Sequence, residues 1–219
     1  MGAFSGISQL FSGGIVAQAR RMGYSAENII VLQGNVVQLQ ANYPTTWENI
    51  QSCQHNRDNR SPLAYAQDLV ASWLIEDYII GALNDAGLPV AHAGADKERK
   101  ILANAFVSSD SDASVVLNGK SVPLELMCDY KGYWSRFKKI DLRDSKFTKL
   151  KNSESLFLGI STTDKKFILL DFSKPVNSTF IPSHFPFGGK SAYSVAISAN
   201  DLHNFSTADI VAAISNARK

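Results

Sequence analysis

Asn118-Gly119, set between ASVVL (113–117) and SVPLELMCD (121–129), constrains the fold more than any other stretch of the chain. An Asn-Gly pair accepts the left-handed backbone that both central positions of a type I′ turn require, so the two apolar runs close into a tight hairpin. Along the second run, side chains alternate between faces. Leu124, Leu126 and Cys128 form an apolar face that belongs in a core. Glu125, Met127 and Asp129 share the other face, with Lys131 following if the strand persists. Asp112 stands where the chain enters the first strand, so the hairpin brings it towards Glu125 and Asp129, away from the turn. Acidic oxygens converging at one end of a hairpin suit a hard cation such as Mg²⁺. That ion is typically held by one or two carboxylates and completed by waters and a substrate phosphate.

Helices are expected on both sides of this strand-rich middle. The spacing of Ile7, Leu10, Phe11, Ile15 and Ala19 predicts a helix over 7–22, weakened at Gly13-Gly14, and Ser25 opens a second short one. NVVQLQANY (35–43) reads as a strand or an irregular run, and the polar QSCQHNRDNRSP (51–62) as a loop or boundary. A longer helix covers 64–83 and ends near Gly87 and Pro89. SLFLGIS and KFILLDF are apolar strands around a Thr-Thr-Asp-Lys turn, SAYSVAISA is a last strand, and Ser206 or Thr207 caps a closing helix over 208–217. The expectation is an α/β fold: a central mixed β-sheet flanked by helices in a core domain at 62–219, preceded by an N-terminal accessory segment at 1–61.

Composition narrows the functional classes. With 219 residues, 45% of them hydrophobic, the chain can bury a substantial core. No apolar run is long enough to span a bilayer, so no membrane partner is expected. The start lacks the basic region of a signal peptide, and Gly6 stands where a myristoylation signal needs Ser or Thr. Two distant cysteines, Cys53 and Cys128, suit free thiols in a reducing cytoplasm. A net charge of +2 means that nucleic-acid binding must come from local patches. The four histidines, His55, His92, His184 and His203, lack metal-ligand spacing. FGGKSAY (187–193) lacks the spacing of a P-loop, although Lys190 remains available to a phosphate.

Leu69, Trp73, Ile80 and Leu83 make one helical stripe, and Glu76 lies within it. A carboxylate on a core-facing stripe needs a metal or a salt bridge to a neighbouring Arg or Lys. Asp77 points elsewhere and reads as a solvated acid.

The order of a helical Glu76, Asp112 at a strand entry, then a hairpin into apolar-Glu125-x-x resembles the PD-(D/E)xK nuclease superfamily, which includes most type II restriction endonucleases. The resemblance covers roughly residues 62–172. It implies a restriction-endonuclease-like core and Mg²⁺-dependent, sequence-specific hydrolysis of phosphodiester bonds in double-stranded DNA. A homodimer would match a palindromic site. It makes Asp112 and Glu125 direct metal ligands, joined by the backbone carbonyl near Leu126. Glu76 becomes an outer ligand, Asp110 the fallback for Asp112, and Asp129 a further candidate. The family pattern asks for Lys at position 127, where this chain has Met, which neither donates a hydrogen bond nor carries charge. Three explanations stand open. Another lysine can replace it, Lys131 first and Lys120 next; metal-bound hydroxide can suffice; or the chain is an inactivated variant. A plain core methionine is the bland fourth. On the resemblance, Met127→Lys should raise cleavage steeply. The alternatives are a repair or recombination nuclease of the same fold and a catalytically inactive DNA-binding module.

DNA contacts are expected from the basic and aromatic run at 131–151: Lys131, Tyr133, Trp134, Arg136, Lys138, Lys139, Arg143 and Lys146, with Asn56, Arg57 and Lys190 as further candidates. The competing account is a solvated surface with aromatic rings packed beneath it.

Overall fold

The computed structural model describes residues 7–8, 10–52, 60–93, 97–103 and 111–218. The chain divides into two compact units, one of Met1–Tyr78 with Ala93–Asp110, the other of Ile79–His92 with Ser111–Lys219. The division falls within the long helix near Tyr78, whereas the sequence suggests a boundary in the polar stretch at 51–62. Cys53, His55, Asn56 and Arg57 lie outside the described residues.

The first unit is helical. Helices α1 (Gly14–Arg21), α2 (Ala26–Gln33), α3 (Val36–Asn42) and α4 (Pro44–Ser52) precede α5 (Pro62–Asp85), whose first two-thirds belong to this unit. Helix α1 begins only at the glycine pair, because Gly13 and Gly14 both take φ near +80°. Ile7, Ile15 and Ala19 are nevertheless buried as the helical spacing requires. Ser25 caps α2 by accepting the Asn28 N–H at 3.2 Å. Residues 35–43 form no strand: Asn35 accepts the Gln38 N–H at 3.1 Å and starts α3. The cap outweighs the β-propensity of Val36-Val37. Segment 97–103 is tied down where its carbonyls at Arg99 and Ile101 accept the Asn28 and Asn49 side-chain amides, each at 2.9 Å.

The second unit is α/β, with a mixed six-stranded sheet accompanied by helices and a smaller three-stranded sheet. The large sheet contains β1 (Val90–His92), β2 (Ala113–Leu117), β3 (Lys120–Asp129), β5 (Leu156–Ser161), β6 (Lys166–Asp171) and β9 (His203–Asn204), in the order β1-β2-β3-β5-β6-β9. Asn118 and Gly119 have φ of 51° and 75°, the turn that the dipeptide predicts. Strands β3 and β5 pair in parallel, with Glu125 opposite Phe157 and Met127 opposite Gly159; the other pairings are antiparallel. A parallel pair needs a crossover, and residues 130–155 provide one. It holds α6 (Tyr133–Phe137), β4 (Lys139–Arg143) and α7 (Asp144–Asn152). Strand β4 joins β8 (Lys190–Ala196) and β7 (Ser178–His184) in the second sheet, ordered β4-β8-β7. Helix α8 (Thr207–Asn216) starts at Ser206, which accepts the Asp209 N–H at 3.4 Å.

An apolar cluster joins the crossover to both sheets. It contains Trp134, Ile140, Leu142, Phe147, Leu150, Phe157, Ile168 and Val195, with Met127 packed against it. Gly159 is required here, since a Cβ would come within 2.7 Å of the Trp134 ring. Among the described residues, no helix is long and apolar enough to cross a membrane.

Candidate active site

Strand β3 lies inside the sheet, between β2 and β5, so both of its edges are paired. Leu124 and Leu126 are buried on one face, and Glu125 is also buried, at 5% exposure, on the other. A carboxylate held this far from water must be compensated. Helix α7 compensates it. Lys146 Nζ stands 2.5 Å from Glu125 Oε1, and Lys149 Nζ lies 3.7 Å from Oε2. The two lysines are three residues apart and so share a helix face, while Phe147 and Leu150 anchor the helix in the apolar cluster. Glu125 Oε2 feels the Lys149 charge but has no hydrogen-bond partner, although it is buried.

Asp112 is placed by the register of the hairpin and by one backbone donor of β3. The β2–β3 ladder ends at Ala113 opposite Leu124, which sets Asp112 level with Glu125. One residue further along β3, the Leu126 N–H donates to Asp112 Oδ2 at 2.7 Å. Here a carboxylate stands in for a ladder carbonyl. A strand residue's N–H and C=O point to the same edge, so the Leu126 carbonyl also faces the Asp112 side.

Asp129 and Met127 have structural employment. The two Asp129 oxygens accept the backbone N–H groups of Lys131 at 3.0 Å and Trp134 at 2.9 Å, which turns the chain from β3 into α6. The strand therefore stops at Asp129, and the alternation that would place Lys131 on the Glu125 face stops with it. Lys131 is exposed after that turn, and Lys120 lies at the opposite end of β3, beside the hairpin turn. Met127 is half-buried against the apolar cluster. Its unbranched stem fills space there, as methionine does in irregular cores.

Glu76, on α5, is bound within the first unit. Arg99 Nη1 pairs with Glu76 Oε2 at 3.0 Å, and Arg99 also contacts Asp77 Oδ1 through Nε at 3.0 Å and Nη2 at 2.5 Å. Tyr24 donates its hydroxyl to Asp77 Oδ2. Asp77 is accordingly no solvated acid. Burial pushes the Tyr24 pKa up, and the Asp77 carboxylate adds to the shift. Burial alone would lower the Arg99 pKa, but the Asp77 hydrogen bond and the Glu76 charge raise it.

The basic-aromatic run is divided by the fold. Trp134 is buried at 3% exposure, and its ring packs over β5 instead of facing solvent. Tyr133 and Lys139 are turned to Asp141, with Tyr133 Oη at 2.7 Å and Lys139 Nζ at 3.1 Å from Oδ2. His184 Nε2 completes this group at 2.9 Å. Burial works to raise the Asp141 pKa, but the surrounding donors, Tyr133 first, hold it below its ordinary value. Exposed cations remain at Lys131, Arg136, Lys138, Arg143 and Lys190. The Arg143 guanidinium lies 5.6 Å from the Phe187 ring centre. Sequence reasoning lists Lys146 as a DNA contact and does not foresee its place on Glu125. The pairing of Lys149 with Glu125 and of His184 with Asp141 was likewise not foreseen. Lysines three apart in a crossover between parallel strands were the available signal.

Asp112, the Leu126 carbonyl edge and Glu125 Oε2, which accepts no hydrogen bond, fit a hard cation by donor type, since Mg²⁺ takes one or two carboxylates and fills its sphere with water. Among the described residues no group of three or more His, Cys, Asp or Glu side chains is placed to hold a metal ion. Asp110, the alternative ligand, lies outside the described residues. No protein-family model matches the chain, and comparison with curated proteins gives no significant match.

Proposed function

We propose that the chain is an Mg²⁺-dependent endonuclease of restriction type, hydrolysing phosphodiester bonds in double-stranded DNA as a homodimer. The observation that carries this reading is the Asp112 carboxylate seated on the Leu126 N–H, next along the chain to a buried Glu125 that pairs with two lysines of α7. The order of helical Glu76, strand-entry Asp112 and Glu125 on the second hairpin strand adds the resemblance to PD-(D/E)xK nucleases.

Hydrolysis needs an in-line water, compensation of charge growing on the phosphate, and a stabilised leaving oxygen. The metal, when bound, polarises the phosphate and lowers the pKa of its water. Asp112 and Glu125 would hold it through carboxylate oxygens and Leu126 through its carbonyl. Glu76 carries no step in this reading, because Arg99 engages its carboxylate. Exposed Lys131, Arg136, Lys138, Arg143 and Lys190 would supply salt-sensitive contacts to the DNA backbone.

A second reading has an observation of its own: Glu125 is already charge-compensated and Met127 is packed as an apolar residue, as suits an inactive DNA-binding module. Incubation with supercoiled plasmid and Mg²⁺ separates the readings. Discrete linear fragments support a restriction enzyme, and general degradation points to a repair-type nuclease. Retention of DNA without cutting leaves the binding module.

A further inference from the structure

We propose that Lys146 is the catalytic cation of this site, supplied from helix α7 rather than from position 127; the proposal rests on the nuclease reading above. Three observations converge on it. The side chain of residue 127 is committed to the apolar cluster, so the strand offers no charge there. Lys131 lies past the turn that Asp129 fixes, and Lys120 lies at the far end of β3. Lys146 places an ammonium 2.5 Å from the buried Glu125, while its own side chain keeps 36% exposure. It therefore touches the acid from the solvent side, the side from which a phosphate must approach.

The Lys146 ammonium is the nearer of the two cations on Glu125. With a metal and a DNA phosphate in place, Glu125 would hold the metal through its carboxylate and the Lys146 ammonium would turn to a non-bridging phosphate oxygen. The flexible four-carbon stem permits that exchange. The water oxygen then bonds to phosphorus as the bond to the leaving sugar oxygen breaks. The proton of the attacking water goes to solvent, and solvent protonates the leaving oxygen. Lys146 keeps its proton throughout and balances the extra negative charge of the transition state.

The arrangement makes two opposite demands on one residue, and these can be measured separately. In full-length protein without DNA, Lys146→Met should bind Mn²⁺ about tenfold more tightly by calorimetry, because a competing positive charge has left the carboxylate. Glu125→Gln should abolish that binding, which fixes its location. At saturating plasmid and Mg²⁺, the same Lys146→Met should cut on the order of 10²–10³-fold more slowly, with DNA affinity changed far less. Lys146→Arg should retain more of the rate than Lys146→Met, and Met127→Lys should give no gain over the natural chain. Lys146→Met cutting at the natural rate overturns the proposal while the nuclease reading stands. A steep gain from Met127→Lys also overturns it, since the site would then have lacked its cation. Loss of Mn²⁺ binding together with rate in Lys146→Met marks the ion pair as mere scaffolding. If the natural chain binds Mn²⁺ at Glu125 but cuts no DNA, the nuclease reading itself falls, and a catalytic Lys146 falls with it.

Discussion

Two of the molecule's buried acidic sites, one in each unit, are neutralised by different means. In the first unit one arginine bridges Glu76 and Asp77, and Tyr24 caps the remaining Asp77 oxygen. In the second unit two lysines stand over Glu125 and leave Oε2 without a hydrogen bond. A guanidinium is a rigid planar fork whose donors are fixed relative to one another, so it locks the acids it bridges. An ammonium on a flexible stem is a movable point charge. The Arg99 side chain is only 14% exposed, whereas those of Lys146 and Lys149 are 36% and 31% exposed. The first cluster is built to hold, and the second is able to exchange partners.

The sharpest way to break this contrast is to remove the acids of the second cluster. Asp112→Ala and Glu125→Ala should each reduce plasmid cleavage by more than about 10³-fold in Mg²⁺, while DNA binding persists in a gel-shift assay with Ca²⁺. Thermal melting should change little, because the half-exposed lysines regain water. If either variant cuts normally, that residue leaves the site.

Next in size is Arg99→Met, which takes the guanidinium from buried Glu76 and part-buried Asp77. It should cost about 3–5 kcal/mol in urea unfolding, and adding Glu76→Gln with Asp77→Asn should recover much of the loss. Glu76→Gln alone serves as a direct challenge: a cleavage defect as deep as that of Glu125→Ala, without a matching loss of stability, would move Glu76 from the lock to the chemistry.

Gly159→Ala tests the packing that separates Met127 from the charged end of the face. A methyl 2.7 Å from the Trp134 ring should cost about 1–3 kcal/mol in thermal unfolding. Unchanged stability would show that Trp134 moves freely, and that Met127 is less firmly committed to the cluster than its packing indicates.

Asp141 sharpens the comparison with a further compensated acid, and Asp141→Asn should have the smallest effect because the amide oxygen still accepts hydrogen bonds. Its folded pKa is lowered, so its stabilising contribution is complete above the unfolded carboxylate value and lost as pH falls through the folded one. The stability gap between the natural chain and the variant should be open near neutral pH and close in acid. A gap that widens as pH falls would contradict the assignment.

What could be read from the sequence follows the locality of the signal. Helix α5, the Asn118-Gly119 turn, the apolar runs of β5 and β6 and the Ser206 cap each announce themselves within a few residues. The crossover does not. Lys139–Arg143 offers one short alternation, and α7 has only Phe147 and Leu150 as buried anchors, so the run reads as a basic surface. Strand β7 was hidden by Pro182, and β1 by its three-residue length. At the candidate site, the placement of Asp112 beside the Glu125-Leu126 stretch was legible because a tight hairpin fixes register. Partners 21 and 24 residues apart were not, since no local rule couples Glu125 to Lys146 or Lys149. The Arg99 lock was hidden likewise: nothing near Glu76 names an arginine beyond the next strand.

The parallel pairing of β3 with β5 also sets a timetable. The β2–β3 hairpin closes over two turn residues, but Leu126 can meet Leu158 only after the intervening crossover has condensed. Non-local parallel pairing is slow because loop entropy is lost before contacts repay it. The Asp112 carboxylate therefore meets the Leu126 N–H early, and the lysines reach Glu125 with α7 at a later step. Pulse-labelled amide exchange during refolding should show the hairpin amides protected before those joining β3 to β5. A chain emerging from synthesis thus carries Glu125 some twenty residues ahead of the lysines that neutralise it, and the two are assembled only when the surrounding fold is nearly complete.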